Sequence, residues 1–331
     1  MNKIALFCDE KNLYWHGIII AAAIAISCAA AVLLRRRQKK SLQGMLLMLP
    51  LSILLGVLFS RLVFWNYQQG MFDSFFSAFT LKSLAQGGYA LVGGFIGVLL
   101  SGVLISCIMK LGKGGFMELL DAAAVAGSLG ISLGRLSALF SGDDLGQIVM
   151  SEGLHFFPVC IYDAGQSAWR LAVFAWESAA AFIIFLILLR FFDNVYVNSE
   201  GARITLASGD VFLLFLLYYG CSQCMLESFR SDSLFFNILG LVRVSQVGAL
   251  IMLFAALLIF CIRLSDGGIK LWHAAVWVLI LGLLATAFVM ELILSSNVLV
   301  LNYSIMGGCL LAVAVCGTWL CSHSRSQQKI N

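Results

Sequence analysis

Two arginines in apolar surroundings set the chemical question. Arg135 closes the stretch Gly127-Ser-Leu-Gly-Ile-Ser-Leu-Gly-Arg135, and Asp143 and Asp144 follow shortly after it. Arg230 ends the stretch Tyr218-Tyr-Gly-Cys-Ser-Gln-Cys-Met-Leu-Glu-Ser-Phe-Arg230. Glu118, Asp121, Ser128, Ser132 and Arg135 recur at helical spacing, which places them on one face of a helix. Gln223, Glu227 and Arg230 share a face in the second stretch, and Glu227 can pair with Arg230 at i,i+3. A guanidinium is planar, always charged and bonds two oxygens at once. Two of them beside a carboxylate therefore suit an anion pocket with an internal counter-ion. The same residues also suit a structural salt-bridge network between helices, or a snorkelling arginine at a membrane surface. A third feature is Gly87-Gly-Tyr-Ala-Leu-Val-Gly-Gly-Phe-Ile-Gly97, whose glycines allow close approach of another helix or of a lipid head. Tyr89 is the hydroxyl-bearing aromatic of this segment and also suits an interfacial anchor.

The elements that position these residues follow from composition. The chain has 331 residues, 61% hydrophobic and 11% charged, where a soluble domain carries about 25% charged residues. That much apolar surface needs a bilayer, so the fold class is an all-α polytopic membrane protein. A span takes about 20 apolar residues, and nine are expected: 16–34, 45–66, 89–109, 116–140, 174–192, 208–228, 244–262, 271–293 and 299–320. Residues 1–15 carry Asp9 and Glu10 and lack an apolar core, so they do not read as a cleavable signal peptide. The run Arg35-Arg-Arg-Gln-Lys-Lys40 belongs on the cytoplasmic side, which puts the amino terminus outside. Arg61, Arg135, Arg170, Arg230 and Arg243 then fall on or near the outer side, against the positive-inside tendency, and phosphate binding is a natural reason. A charge at mid-bilayer costs about 2.5–3.5 kcal/mol, so the polar faces should point into the bundle. Loop 141–173 is the longest outer connection, and its second half reads as a short hairpin around Ala164-Gly-Gln-Ser167.

Other classes are excluded or weakened. The net charge of +4 gives no case for nucleic acid. The four histidines are scattered without ligand spacing, so no metal is expected. Most of the ten cysteines lie in apolar runs, where they act as small hydrophobes.

Taken in order, these segments resemble the prolipoprotein diacylglyceryl transferase family over residues 10–262. Asp121, Gly130, Gly134 and Arg135 match one family segment. Gly87-Gly88, Gly93-Gly94 and Ile96-Gly97 match its glycine segment, and Tyr219-Gly220, Glu227 and Arg230 match a third. The family's Gly-Arg-x-Gly-Asn-Phe-x-Asn-Gly-Glu is altered here: Ala138 and Ser141 replace the asparagines and Asp143 stands for the glutamate. Val92 takes the place of a histidine or tyrosine, and Gln223 that of an arginine.

The resemblance implies a seven-helix core over 1–262, with a small extracytoplasmic hairpin region, followed by two extra spans and a cytoplasmic tail over 263–331. It implies location in a bacterial plasma membrane. The implied substrates are phosphatidylglycerol and the lipobox cysteine of a prolipoprotein, and the products a thioether and glycerol phosphate. No soluble cofactor is implied. By this reading Arg135 holds the phosphate, Arg230 supports it, and Glu227 orients an arginine or accepts a proton. Gly93, Gly94, Tyr89, Asp121, Asp143 and Gln223 complete the substrate site. Two other readings compete: a non-catalytic relative that binds anionic lipid or lipoprotein precursors, and a small-solute transporter.

Overall fold

A computed structural model describes residues 4–8, 11–80, 83–84, 87–197, 206–235, 243–265, 271–293 and 299–328. Among these, nine helices are long and apolar enough to cross a membrane. They are α1 (Trp15–Arg37), α2 (Gln43–Tyr67), α3 (Leu91–Ile108), α4 (Lys113–Arg135), α6 (Val173–Tyr196), α7 (Asp210–Phe229), α8 (Val244–Ser265), α9 (Leu271–Leu292) and α10 (Leu299–Gln328). A short helix, α5 (Ala138–Ser141), follows α4. The span anticipated to run to residue 140 breaks after Arg135, where the backbone tightens and Ser137 N–H reaches Gly134 O.

The bundle is turned inside out relative to a soluble protein. Leu54, Ile108, Ile183, Val278 and Val315 are exposed, whereas Asp121, Ser128, Ser132, Glu177, Asp210, Gln223 and Glu227 are buried. Polar side chains gather inside because hydrocarbon offers them no hydrogen bonds, while apolar ones lose nothing by facing lipid. The chain is therefore a multi-pass membrane protein. The helices alternate in direction, which gives the bundle a basic end, marked by Arg35–Lys40, and a loop end, marked by residues 141–173.

α7 is the most enclosed helix, with α4, α6, α8 and α10 packed around it. α2 and α3 lie in backbone contact. A Cβ on Gly93 would fall 2.2 Å from Phe59 O, and one on Gly97 2.5 Å from Gly56 N. Ser52 and Ser101 add an interhelical hydrogen bond of 2.6 Å. Gly130 does the same work between α4 and α1, with Ser27 beside it.

At the loop end, β3 (Cys160–Asp163) pairs antiparallel with β4 (Ala168–Leu171). The hairpin is shorter than the sequence suggests. Pro158 has no N–H to give a ladder, and the chain turns there instead, with Cys160 N–H on Phe156 O. A second hairpin, not anticipated from the sequence, pairs β1 (Ile4–Cys8) with β2 (Lys11–Tyr14).

The basic end is tied by its own ion pairs. Glu118 meets Arg35 at 3.3 Å and Lys40 at 3.0 Å. Asp121 accepts the backbone N–H groups of Gly209 and Phe212 and the hydroxyl of Tyr196. A carboxylate on α4 thus caps the N-terminus of α7, where orphan N–H groups and the helix dipole favour negative charge.

Candidate functional site

The site lies where α4 and α7 end side by side. Beyond α5 the chain enters left-handed backbone at Gly142 (φ 82°) and Asp144 (φ 56°), then runs across the mouth between the two helices. Gly146 N–H bonds Leu171 O at 2.8 Å and Ser231 N–H bonds Leu145 O at 3.1 Å. A Cβ on Gly146 would fall 2.7 Å from Leu171 Cβ and 2.8 Å from Phe229 O, so only glycine fits this crossing. The crossing lays Asp144 over both arginines.

Asp144 Oδ2 lies 2.6 Å from Arg135 Nη1, and Asp144 Oδ1 pairs with Arg230 Nη2. Glu177, from the first turns of α6, sits beneath them. Its Oε2 is 3.0 Å from Arg135 Nε and its Oε1 accepts Gln223 Nε2 at 2.9 Å. Arg230 Nη1 is 3.9 Å from Glu177 and 3.8 Å from Glu227, close enough for attraction but too long for hydrogen bonds. Asp232 closes the rim, accepting Arg230 Nε and the backbone N–H of Asp144. The hydroxyl of Tyr219 is enclosed beside the Arg135 guanidinium. Glu227 is 1% exposed, and its Oε2 makes no hydrogen bond among the described residues.

Two guanidiniums therefore face four carboxylates, of which Asp144, Glu177 and Glu227 are largely enclosed and Asp232 is exposed. Burial pushes the Asp144 carboxyl up, but Arg135 and Arg230 outweigh it and hold the group below the usual carboxylate range. Burial also disfavours charge on Arg230, yet Asp144, Glu177 and Glu227 hold it above the ordinary arginine value. Asp144 and Arg230 are therefore both charged at neutral pH, and the carboxylate that bridges both arginines is an internal anion.

The structure brings Arg135, Gln223, Glu227 and Arg230 together. It does not bring in the other predicted residues. Asp143 is exposed, and its backbone N–H bonds the Ser141 hydroxyl, while its neighbour Asp144 enters the cluster. Asp121 lies fourteen residues before Arg135, about 21 Å along α4 at 1.5 Å per residue, and caps α7. Gly93 serves the α2–α3 contact, and Gly94 faces open space. Tyr89 is exposed and donates its hydroxyl to Leu84 O. Val92 packs on Gly248 and lines a cleft of about 410 Å³ with Phe59, Val63 and Val247.

Arg61 corrects the phosphate reading of the outer arginines. It is 1% exposed, and its guanidinium donates to the carbonyls of Ala78, Ser83, Gly87 and Gly88 and to Ser83 Oγ. Its donors are spent on holding the loop before α3. Arg170 is likewise taken by Gly146 O, Asp163 and Ser231.

Sequence reasoning gave no site role to Glu177, Asp144 or Tyr219. Glu177 had a signal, as the one carboxylate within the apolar run 174–192. An ionisable group in a span marks an interior partner by default. Asp144 had none that separated it from Asp143. Among the described residues no group of His, Cys, Asp and Glu side chains could hold a metal ion.

Ion-paired arginines enclosed at one end of an apolar-coated helix bundle define a multi-pass membrane protein with a cluster of paired charges where its helices end. The chain belongs to the prolipoprotein diacylglyceryl transferase family, whose sequence profile matches residues 3–262. A phosphatidylglycerol–prolipoprotein diacylglyceryl transferase of Clostridium novyi (strain NT) is 27% identical, covering 78% of this chain and 95% of the relative. Proteins of the same name from Bacillus velezensis and Bacillus cereus (strain B4264) are 25% and 24% identical, each covering 81% of this chain and 94% of the relative. α9 and α10 lie beyond the matched region.

Proposed function

We propose that this protein transfers the diacylglyceryl group of phosphatidylglycerol to the lipobox cysteine of a prolipoprotein, with the loop end facing out from a bacterial plasma membrane and the amino terminus outside. The observation that carries this is the carboxylate of Asp144 held between Arg135 and Arg230. A phosphate diester presents the same pair of oxygens, with the same charge, to the same two forks. Phosphatidylglycerol enters with its phosphate in place of that carboxylate.

The cysteine sulfur attacks the diacylglycerol carbon, the carbon–oxygen bond to phosphate breaks, and glycerol phosphate leaves with the bonding pair. The thiolate is the nucleophile, so the thiol proton must be taken up during the step. Val92 and Gln223 supply no base. Glu227 has a buried oxygen without a hydrogen bond beside Arg230, which makes it the acceptor in this scheme. Arg135, anchored from below by Glu177, meets charge on the departing phosphate, and such preorganised stabilisation is usually the largest catalytic contribution. Residues 1–262 form the transferase core in this reading, and 263–331 an extension.

The test is complementation. Cells depleted of their own transferase receive the chain, and a reporter lipoprotein is followed by gel mobility. Wild type should restore the modified form, and Arg135→Ala, at equal membrane abundance, should not. Precursor accumulating with wild type at normal abundance removes the enzyme reading. The surplus of carboxylates and Val92 favour a second reading, a relative that binds anionic lipid without turnover; binding without product identifies it.

A further inference from the structure

The two spans beyond the family match are joined to the site, and the joint is chemical as well as apolar. α10 lies along α7 and α8. A Cβ on Gly317 would fall 2.5 Å from Leu217, and Tyr218 bonds Thr318 at 2.7 Å. At the loop end the Tyr303 ring stacks on Phe229 with centroids 4.0 Å apart, and its hydroxyl donates to Ser228 O.

α9 contributes one carboxylate there. Glu291 accepts Ser228 Oγ at 2.5 Å, Arg243 Nη1 at 3.0 Å and Gln246 Nε2 at 3.2 Å. Arg243 also reaches Ser228 O, and Gln246 reaches Cys224 O and Ser228 Oγ. Arg243 satisfies Ser228 O, a carbonyl that the end of a helix leaves unpaired, and places a cation where the helix dipole favours one. Glu291 is what holds Arg243 and Gln246 in register. Ser228 lies directly after Glu227 and two residues before Arg230. The last turn of α7 is thus clamped between the ion cluster on one side and the Glu291 network on the other.

We infer that Glu291, on a helix outside the family match, is a positioning residue for the headgroup site: through Ser228 and Arg243 it fixes the last turn of α7 and so the direction in which Arg230 and Glu227 project. The extension is then a working part of the site. This rests on the proposed role of Arg230 in holding the phosphate.

The experiment uses the purified full chain in nanodiscs of zwitterionic lipid with phosphatidylglycerol titrated in. Arg230→Ala should weaken phosphatidylglycerol binding tenfold or more. Glu291→Ala should weaken it by a similar factor, because it removes the acceptor of Ser228, Arg243 and Gln246 and releases the turn that aims Arg230. In the Arg230→Ala background, Glu291→Ala should add nothing, since its effect passes through Arg230. Thr318→Val, which removes a contact of the same extension near mid-membrane, should leave binding unchanged. If Glu291→Ala does not accumulate, Ser228→Ala removes the same link and carries the same expectation. Wild-type binding by Glu291→Ala, or equal weakening by Thr318→Val, overturns the positioning role and leaves the headgroup site standing. Wild-type binding by Arg230→Ala removes the headgroup reading itself, and the positioning role with it.

Discussion

Asp144→Asn is the most informative single change in the cluster. Asparagine keeps the shape of the side chain and removes the charge that bridges Arg135 and Arg230. If the lipid phosphate takes the place of this carboxylate, Asp144 is its competitor. Two charge-assisted hydrogen bonds contribute about 1.5–3 kcal/mol each, so the closed arrangement gains roughly 3–6 kcal/mol. Holding a non-glycine residue at φ 56° costs about 1–3 kcal/mol in return. The difference is roughly 0–5 kcal/mol, centred near 2 kcal/mol, and each 1.4 kcal/mol is about tenfold. Asp144→Asn should therefore bind phosphatidylglycerol about tenfold more tightly in a nanodisc titration. Its thermal stability should fall, because two buried guanidiniums lose a counter-ion. The Asp144 carboxyl is held below its usual range when folded, so its stabilising contribution is present at neutral pH. That contribution disappears as pH falls through the lowered value, below the ordinary aspartate pKa of about 3.9. Wild type should show this acid-side loss and Asp144→Asn should lack it. Unchanged or weaker lipid binding by Asp144→Asn would refute the competition: Asp144 would then be a counter-ion that aims the arginines.

Two further changes separate scaffold from site. Asp121→Ala should destabilise the fold by about 1–2 kcal/mol, the usual worth of a helix cap, read by thermal unfolding, while lipid affinity stays at the wild-type value because the residue is remote from the cluster. Gly97→Ala should cost about 1–3 kcal/mol, since its added carbon falls 2.5 Å from the backbone of α2; unfolding temperature measures it, and wild-type stability would contradict the close α2–α3 contact.

The sequence by itself determined the membrane class, the nine spans and the depth of the charged residues. Hydrophobic run length fixes a span, and the cost of charge in hydrocarbon forces Arg135, Glu227 and Arg230 inward. It also placed Glu227 and Arg230 on one face, because helical spacing is local. What it left open was which faces meet. Helical periodicity gives a direction around one axis and nothing about the neighbour across it. Asp121 and Arg135 share a face of α4 yet serve opposite ends, one capping α7 and the other pairing with Glu177. Arg61 resembles the other outer arginines in sequence, but folding spends its donors on backbone carbonyls. The choice of Asp144 over Asp143 comes from one left-handed residue and a glycine crossing packed against Phe229, and the entry of Glu291 from how α9 and α10 settle on α7. These are long-range contacts, selected by packing and by the need to satisfy buried charge, so they exist only once the helices have assembled.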